Sequence, residues 1–351
     1  MSDPLGRTLY RLGQGARVAG YWSQYLLSQR MTRPAERKPE TPVEEAGAEP
    51  ERFPSRNDIL ADLQALMARD WANIEAGIYR PPHDLLSGGL EALRGAPRFF
   101  REFSKVEELR LAGRHQEVFT PERRGRYPRY YLQNFHYQSG GWLSEESAAV
   151  YDHQVEVLFG GGSDAMRRQG LVPLQRFLAG RRSRDCHLVD LGTGTARWLS
   201  FVKQNYPLLQ VTGLDLSGPY LEKAAETLKP WRKADLREAA AEKTGLPESS
   251  VDAVSAVYLF HELPKKVRRQ VAEEAARILK PGGLFLLVDS LQLGDRPGYD
   301  ALLRRFPGHF HEPYYLDYIQ SDLQELFEDS GFRVESLDHA FLSRVLACRK
   351  I

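Results

Sequence analysis

The chain has 351 residues and nearly balanced charge, with 48 Lys and Arg against 47 Asp and Glu. This balance provides no overall basic field for nucleic acid, and the length accommodates one medium domain with a substantial accessory region. The two cysteines, Cys186 and Cys348, are too few for a disulfide framework or a multi-cysteine metal site, which indicates a reducing compartment. The sequence contains no apolar stretch of membrane-spanning length and no secretory signal, so we expect a cytoplasmic protein.

Residues 1–33 predict a basic amphipathic helix, because apolar side chains recur at three- and four-residue spacing from Leu5 to Leu26. Its polar positions carry arginines and the single acidic residue Asp3. Two interpretations stay open. The helix packs on its own protein or on a second subunit, or it contacts an anionic membrane surface, which would place the protein peripherally on the inner face of a membrane.

Three further segments follow. Residues 34–54 are rich in Pro and Glu, a composition that predicts a disordered linker. Residues 55–143 predict a helical accessory region, with a helix start signal at Ser55. The stretch "SEES" reads as a capping box that opens a helix at Ser144, the first of the cap helices in a final domain over residues 144–351.

From about residue 186 the pattern alternates between short apolar strands and amphipathic helices. This alternation predicts an α/β fold, a Rossmann-like doubly wound sheet with helices on both faces. Ligands of such sheets bind beyond the carboxyl ends of the strands.

The first turn, "LVDLGTGTARW" at 188–198, puts an Asp and two glycines between a strand and a helix. A dinucleotide fingerprint starting at Gly192 requires a third glycine at position 197, where this chain has Arg197. The Lys and Ser/Thr of a phosphate-binding loop are also missing. The glycines therefore serve another ligand.

This turn resembles the first motif of class I S-adenosylmethionine-dependent methyltransferases, and later stretches resemble the same family in the expected order. They are "VTGLDLS" with Asp215, "GLPESSVDAV" and "EAARILKPGGLFLLVD". Together with "YLFHELP", the last stretch is most similar to the ubiquinone/menaquinone C-methyltransferase (UbiE-like) branch. The resemblance implies the cofactor S-adenosyl-L-methionine and methyl transfer to a small, lipophilic or aromatic acceptor at carbon or oxygen.

The resemblance also implies a cofactor site. In it Asp190 faces the methionine ammonium group, Asp215 binds the ribose hydroxyls, and Arg167 or Arg168 meets the methionine carboxylate. An acidic residue that contacts adenine in relatives is replaced by Ala240, so the backbone at Ala241, Glu242 or the less well aligned Asp235 takes that contact. The expected cofactor residues are Asp190, Gly192, Thr193, Gly194, Asp215, Leu216, Ala241, Glu242, Tyr258 and Arg168.

Acceptor residues are expected on loops that border the methyl group. Oxygen and carbon acceptors lose a proton, and His261 and His311 are the candidate bases. The expected acceptor pocket comprises His136, Tyr137, Trp142, His309, Glu312, Tyr314 and Tyr315, with Tyr131 and Tyr151 as further aromatic candidates. The spacing of His309, His311 and Glu312 suits a metal, but no third well-placed ligand is visible, so we predict no metal site.

Two alternatives to a small-molecule methyltransferase stay open. One is a protein or nucleic-acid methyltransferase, against which stand the lack of a basic face and of an Asn/Asp-Pro-Pro-Tyr/Phe motif. The other is a catalytically idle scaffold of the same fold, against which stands the intact set of motif residues in the first turn.

Overall fold

A computed structural model describes residues 3–32, 53–114, 117–138 and 140–351, without the side chain of His309. The helices are α1 (Pro4–Met31), α2 (Arg56–Glu75), α3 (Gly88–Ala112), α4 (Pro121–Arg124), α5 (Glu145–Leu158), α6 (Ser163–Gln169), α7 (Leu171–Leu178), α8 (Arg197–Asn205), α9 (Gly218–Leu228), α10 (Lys265–Ile278), α11 (Asp300–His309), α12 (Tyr315–Gln320) and α13 (Leu323–Asp329). The strands are β1 (His187–Leu191), β2 (Gln210–Asp215), β3 (Ala234–Glu238), β4 (Val251–Val257), β5 (Leu279–Ser290), β6 (Phe332–Ala340) and β7 (Ser343–Lys350).

The strands form one seven-stranded sheet in the order β3-β2-β1-β4-β5-β7-β6. Strands β1 to β5 are parallel, and β7 runs antiparallel between β5 and β6. This confirms the predicted Rossmann-like sheet. The strand order changes direction between β1 and β4, and this is the point at which open α/β sheets bind ligands.

Both faces of the sheet are buried, as β5 illustrates. Leu284, Leu286 and Val288 pack in one apolar cluster, whereas Phe285 and Leu287 pack in the other. Because side chains alternate along a strand, β5 must be covered by helices on both sides. The near-continuous apolar run in its sequence follows from this.

The predicted helix starts at Ser55 and Ser144 are confirmed. Ser55 Oγ accepts a hydrogen bond from Asp58 N, and the Asp58 side chain accepts one from Ser55 N, which completes a capping box. Ser144 Oγ accepts from Ser147 N at the start of α5. The bounds of the four predicted segments stay predictions, and residues 34–52 of the predicted linker lie outside the described residues.

Helix α1 docks on the protein through the face that the sequence analysis took as polar. The apolar positions Leu5, Leu9 and Leu12 are exposed. The helix does pack on its own protein, one of the two interpretations left open, but not through these three leucines of the predicted stripe. The residues that α1 buries instead are mostly polar or aromatic: Tyr10, Gly13, Gln14, Arg17, Tyr21, Gln24 and Ser28.

The physical reason for the reversal is a buried ion-pair network. Arg17 donates to Asp84 and to Glu156, at 3.1 Å each, and also pairs with Asp164. Arg197, the first residue of α8, pairs with Asp84 and Asp164 as well. Burial works against the charged form of Asp164, but Arg197 and Arg17 outweigh it and hold the pKa of this carboxyl well below its usual range. The network ties α1 to the helix that follows the glycine turn.

Among the described residues, none of the helices is both long and apolar enough to cross a bilayer.

Candidate functional site

The glycine turn between β1 and α8 needs glycine for two reasons. Gly192 and Gly194 have φ angles of 65° and 54°, in the left-handed region that side chains rarely adopt. A Cβ atom on Gly192 would also lie 2.9 Å from Cδ1 of Leu259, which follows β4. The backbone of β1 therefore passes close to the end of β4 and leaves room for a ligand against the turn.

Asp215, at the end of β2, holds this turn in place. Its Oδ2 accepts a hydrogen bond from Gly194 N at 2.8 Å, and its Oδ1 accepts one from Ser217 N at 2.9 Å. Burial raises the pKa of Asp215, against these backbone donors. Each oxygen retains one lone pair, so the carboxylate orders the turn and still has acceptors for a ligand.

Asp190, at the end of β1, is the second acidic group of the site. It is buried, and its Oδ1 accepts a hydrogen bond from Ser255 Oγ at 2.6 Å. Burial raises the pKa of Asp190 to about 7, although the Ser255 donor favours the ionised form. A cation placed against this carboxylate would restore its charge.

Both carboxylates border one cavity at the carboxyl ends of β1, β2 and β4. Of the predicted cofactor residues, the following line it: Asp190, Gly192, Thr193, Gly194, Asp215, Leu216, Ala241 and Tyr258. Tyr258 has a φ of 56° and its hydroxyl lies 2.9 Å from Ser343 Oγ, which fixes its ring at the cavity wall.

Two predicted cofactor residues do not border this cavity. Both Arg168 and Glu242 have other partners: Arg168 donates to Asp70 at 3.0 and 2.6 Å, and Glu242 accepts from Tyr130. Arg168 is fully buried in this pair, so its assignment to the cofactor is corrected. Its neighbour Arg167, the alternative for the same contact, does line the cavity.

The opposite wall of the cavity is aromatic. The rings of Trp142, Tyr151 and Tyr220 meet edge to face, with centroids 5.4 to 5.5 Å apart. Ser217 Oγ donates to the Trp142 carbonyl at 2.5 Å, which ties this wall to the end of β2. Edge-to-face packing fixes the rings before a ligand arrives, so the wall is a preformed apolar surface.

Of the predicted acceptor residues, Trp142 lines the cavity, and so do the further aromatic candidates Tyr131 and Tyr151. Tyr315 is buried behind it with its hydroxyl 2.8 Å from Ser290 Oγ, and Tyr137 packs against the ring of His311. The lining of the cavity does not include the following predicted residues: Tyr137, Tyr315, Tyr314, His136 and Glu312. His311 on the same loop is also absent from the cavity lining, and His309 falls outside the described side chains.

The two predicted bases are not supported. Burial disfavours the charged ring of His261, but Asp289 Oδ1 lies 2.5 Å from its Nδ1, and the balance raises the pKa of His261 to about 9. This shift favours the charged ring near neutral pH and weakens the case for His261 as a base. Nε2 of His311 lies 3.1 Å from Gln133 Oε1, away from the cavity.

The sequence analysis missed several residues that line the cavity. Tyr220 lies one turn into α9, three residues after the Ser217 cap, and the spacing from Asp215 was a usable signal. Glu262 directly follows His261 in the sequence, and Glu262, not His261, borders the cavity. Tyr130 carried no signal, because it precedes the sheet by more than fifty residues.

A family model described as a methyltransferase domain matches residues 188–283, the part from β1 to the start of β5 that carries both carboxylates. A demethylmenaquinone methyltransferase of Listeria welshimeri is 28% identical over 173 residues, which are 43% of this chain and 72% of the relative. One of Thermotoga maritima is 28% identical over 176 residues, 44% of this chain and 73% of the relative.

A UbiE C-methyltransferase of ubiquinone and menaquinone biosynthesis from Desulfotalea psychrophila is 31% identical over 107 residues, 29% of this chain and 41% of the relative. A solved S-adenosylmethionine-dependent methyltransferase from Aquifex aeolicus covers 60% of this chain and 100% of its own at 17% identity, with a TM-score of 0.43.

The matched family domain coincides with the strands whose ends form the cavity, and its motif residues line that cavity. The chain therefore carries a methyltransferase domain that uses S-adenosylmethionine, and the quinone-related methyltransferases are the enzymes to which this domain is similar.

Proposed function

We propose that the protein transfers the methyl group of S-adenosylmethionine to carbon or oxygen of a small, lipophilic or aromatic acceptor. The observation that carries this proposal is the aromatic wall of Trp142, Tyr151 and Tyr220 opposite the two carboxylates. A flat apolar molecule gains contact area on such a wall without ordering flexible side chains. The names of the quinone-related relatives point to the same class of acceptor.

In the reaction, an electron pair of the acceptor attacks the methyl carbon in line with the sulfur. The bond from sulfur to methyl breaks, and the sulfonium becomes the neutral thioether of S-adenosylhomocysteine. The acceptor loses its proton to solvent. The protein contributes mainly by aligning the two reactants in a site from which water is excluded.

The test uses purified enzyme with S-adenosylmethionine labelled in its methyl group, incubated with cell extract fractions. We expect label in the fraction of small molecules that partitions into organic solvent, and none with Gly192→Val. Label in protein or nucleic acid would contradict the proposal and favour the macromolecular alternative. No transfer to any fraction, despite cofactor binding, would favour the idle scaffold.

We further propose that the enzyme contacts the membrane that dissolves such an acceptor. The surface concerned, here called the α1/α3 face, consists of Leu5, Leu9 and Leu12 of α1 and Leu86, Leu90 and Leu93 at and before the start of α3. These side chains are 40% to 74% exposed. An apolar surface of this kind on a soluble domain marks a docking site.

The two helices form one surface because small residues bring them close. A Cβ atom added to Gly89 would lie 2.9 Å from Cβ of Ala16, and one added to Gly20 would lie 2.9 Å from Cβ of Ala92. Helix α1 contains no acidic residue. Both helices carry exposed arginines, alongside the exposed Glu91 in the first turn of α3: Arg7 and Arg11 on α1, and Arg94, Arg98 and Arg101 on α3. Leucines flanked by arginines suit an anionic lipid surface.

Sedimentation with vesicles tests this partner. We expect the enzyme to bind anionic vesicles at low salt, to bind neutral vesicles less, and to lose binding in the double variant Leu12→Gln/Leu93→Gln. Leu208→Gln is the control, since Leu208 is 56% exposed on a turn outside the face. Unchanged sedimentation of the double variant would refute the membrane contact. A dimer that dissociates in the double variant would assign the face to a second copy instead.

A further inference from the structure

Three side chains with metal-binding groups meet beside the acceptor end of the cavity. His136, Glu262 and Glu312 each place one nitrogen or oxygen atom within 4.8 Å of the other two. They come from three separate parts of the chain: the turn before α5, the turn after β4, and the loop before α12. Glu262 borders the cavity whereas His136 and Glu312 do not, so Glu262 is the member that connects the cluster to the cavity.

Glu312 is the informative member of the cluster. Its side chain is 0% exposed, and neither of its carboxylate oxygens has a hydrogen-bond partner among the described residues. Oε1 lies 2.9 Å from Nε2 of His136, but this contact lacks hydrogen-bond geometry. A buried carboxylate without donors is costly, and proteins accommodate one by pairing it or by placing it on a metal ion.

We propose that His136, Glu262 and Glu312 bind one divalent first-row transition-metal ion. An imidazole with two carboxylates suits such an ion, and the two carboxylates balance its charge. Metal-to-ligand distances of about 2.0 to 2.2 Å are reached from the present positions by small side-chain movements. Three protein ligands leave coordination positions open on the cavity side, as in catalytic rather than structural metal sites.

The consequence of such a metal site concerns the class of acceptor, and this consequence rests on the proposed function. An oxygen of the methyl acceptor binds the ion at an open coordination position. The ion lowers the pKa of a hydroxyl that is bound there. The proton leaves to solvent, and the resulting electron pair attacks the methyl carbon as described above. The acceptor therefore carries a hydroxyl or an enolisable carbonyl beside, or at, the atom that is methylated.

The test measures metal binding directly, without acceptor. Full-length enzyme is stripped with chelator and titrated with Mn²⁺, whose free fraction is read by electron paramagnetic resonance. We expect one Mn²⁺ per chain, displaced by Zn²⁺, and affinity lower by about tenfold or more in Glu312→Gln and in His136→Gln. Glu145→Gln, which removes an exposed carboxylate on α5, is the control and binds like the parent.

If Glu312→Gln does not fold, His136→Gln provides the test, because the side chain of His136 is 20% exposed. Absence of stoichiometric Mn²⁺ and Zn²⁺ binding, or equal affinity in the parent and both cluster variants, overturns the metal site. Methyl transfer by stripped enzyme at the parent rate overturns the role of the ion in activating the acceptor and leaves the proposed function standing. Metal binding that depends on the cluster, without transfer to any small molecule, supports the site and refutes the proposed function.

Discussion

Replacing Arg17 should destabilise the protein far more than replacing another arginine of the same helix. The Arg17 side chain is 8% exposed and pairs with Asp84, Glu156 and Asp164. Arg197 still compensates Asp84 and Asp164 after the change, but Glu156 loses its cation. Removing one partner from a buried ion pair costs about 3 to 5 kcal/mol, so we expect Arg17→Met to lower the free energy of unfolding by about this amount.

The assay is urea unfolding followed by circular dichroism, with Arg11→Met as the matched control on the exposed side of α1. The control should unfold within about 0.5 kcal/mol of the parent. Burial already raises the pKa of Glu156. Without Arg17 the Glu156 carboxyl binds a proton more readily. The decrease in the free energy of unfolding caused by Arg17→Met should therefore be smaller at pH 5 than at pH 8. Equal unfolding of the two variants would refute the claim that the network holds α1 in place.

Two further predictions concern the cofactor. Asp215→Ala should weaken S-adenosylmethionine binding by about 1.5 to 3 kcal/mol in calorimetric titration, because the change removes a charged acceptor and releases Gly194 N and Ser217 N; unchanged affinity would remove Asp215 from the site. If Asp190 meets the ammonium group as a carboxylate, binding displaces the proton that its raised pKa retains. The dissociation constant should then fall about tenfold per pH unit up to about pH 7 and level off above it. Ser255→Ala should move this break to higher pH, and a flat profile between pH 5.5 and 8.5 would contradict the role of Asp190.

The sheet and the glycine turn could be predicted because their signals are local. Gly192 and Gly194 stand in a strand-turn-helix pattern, and their left-handed backbone is a property of the turn itself. The apolar runs of β4 and β5 likewise follow from burial on both faces.

The rest of the site depends on pairs that are distant in sequence. Arg167 and Arg168 are adjacent, and only Asp70, 98 residues before Arg168, decides which of them turns away from the cavity. Periodicity also selected the wrong face of α1, since the partners of Arg17 lie in three later segments.

The candidate metal cluster could not be found from the sequence for the same reason. The loop at 309–312 was read by itself, with no further ligand visible near it in the sequence. The partners of Glu312 are His136 and Glu262, which approach it only in the folded chain.

The most direct test of the account is whether the cavity at the glycine turn binds S-adenosylmethionine. Calorimetric titration compares the parent with Gly192→Val, whose side chain would collide with Leu259, and with Gly218→Val, where an added Cβ meets no atom within 4 Å. We predict equal, saturable binding by the parent and Gly218→Val and no binding by a folded Gly192→Val. Parent-like affinity in Gly192→Val would contradict the assignment of this turn to the cofactor.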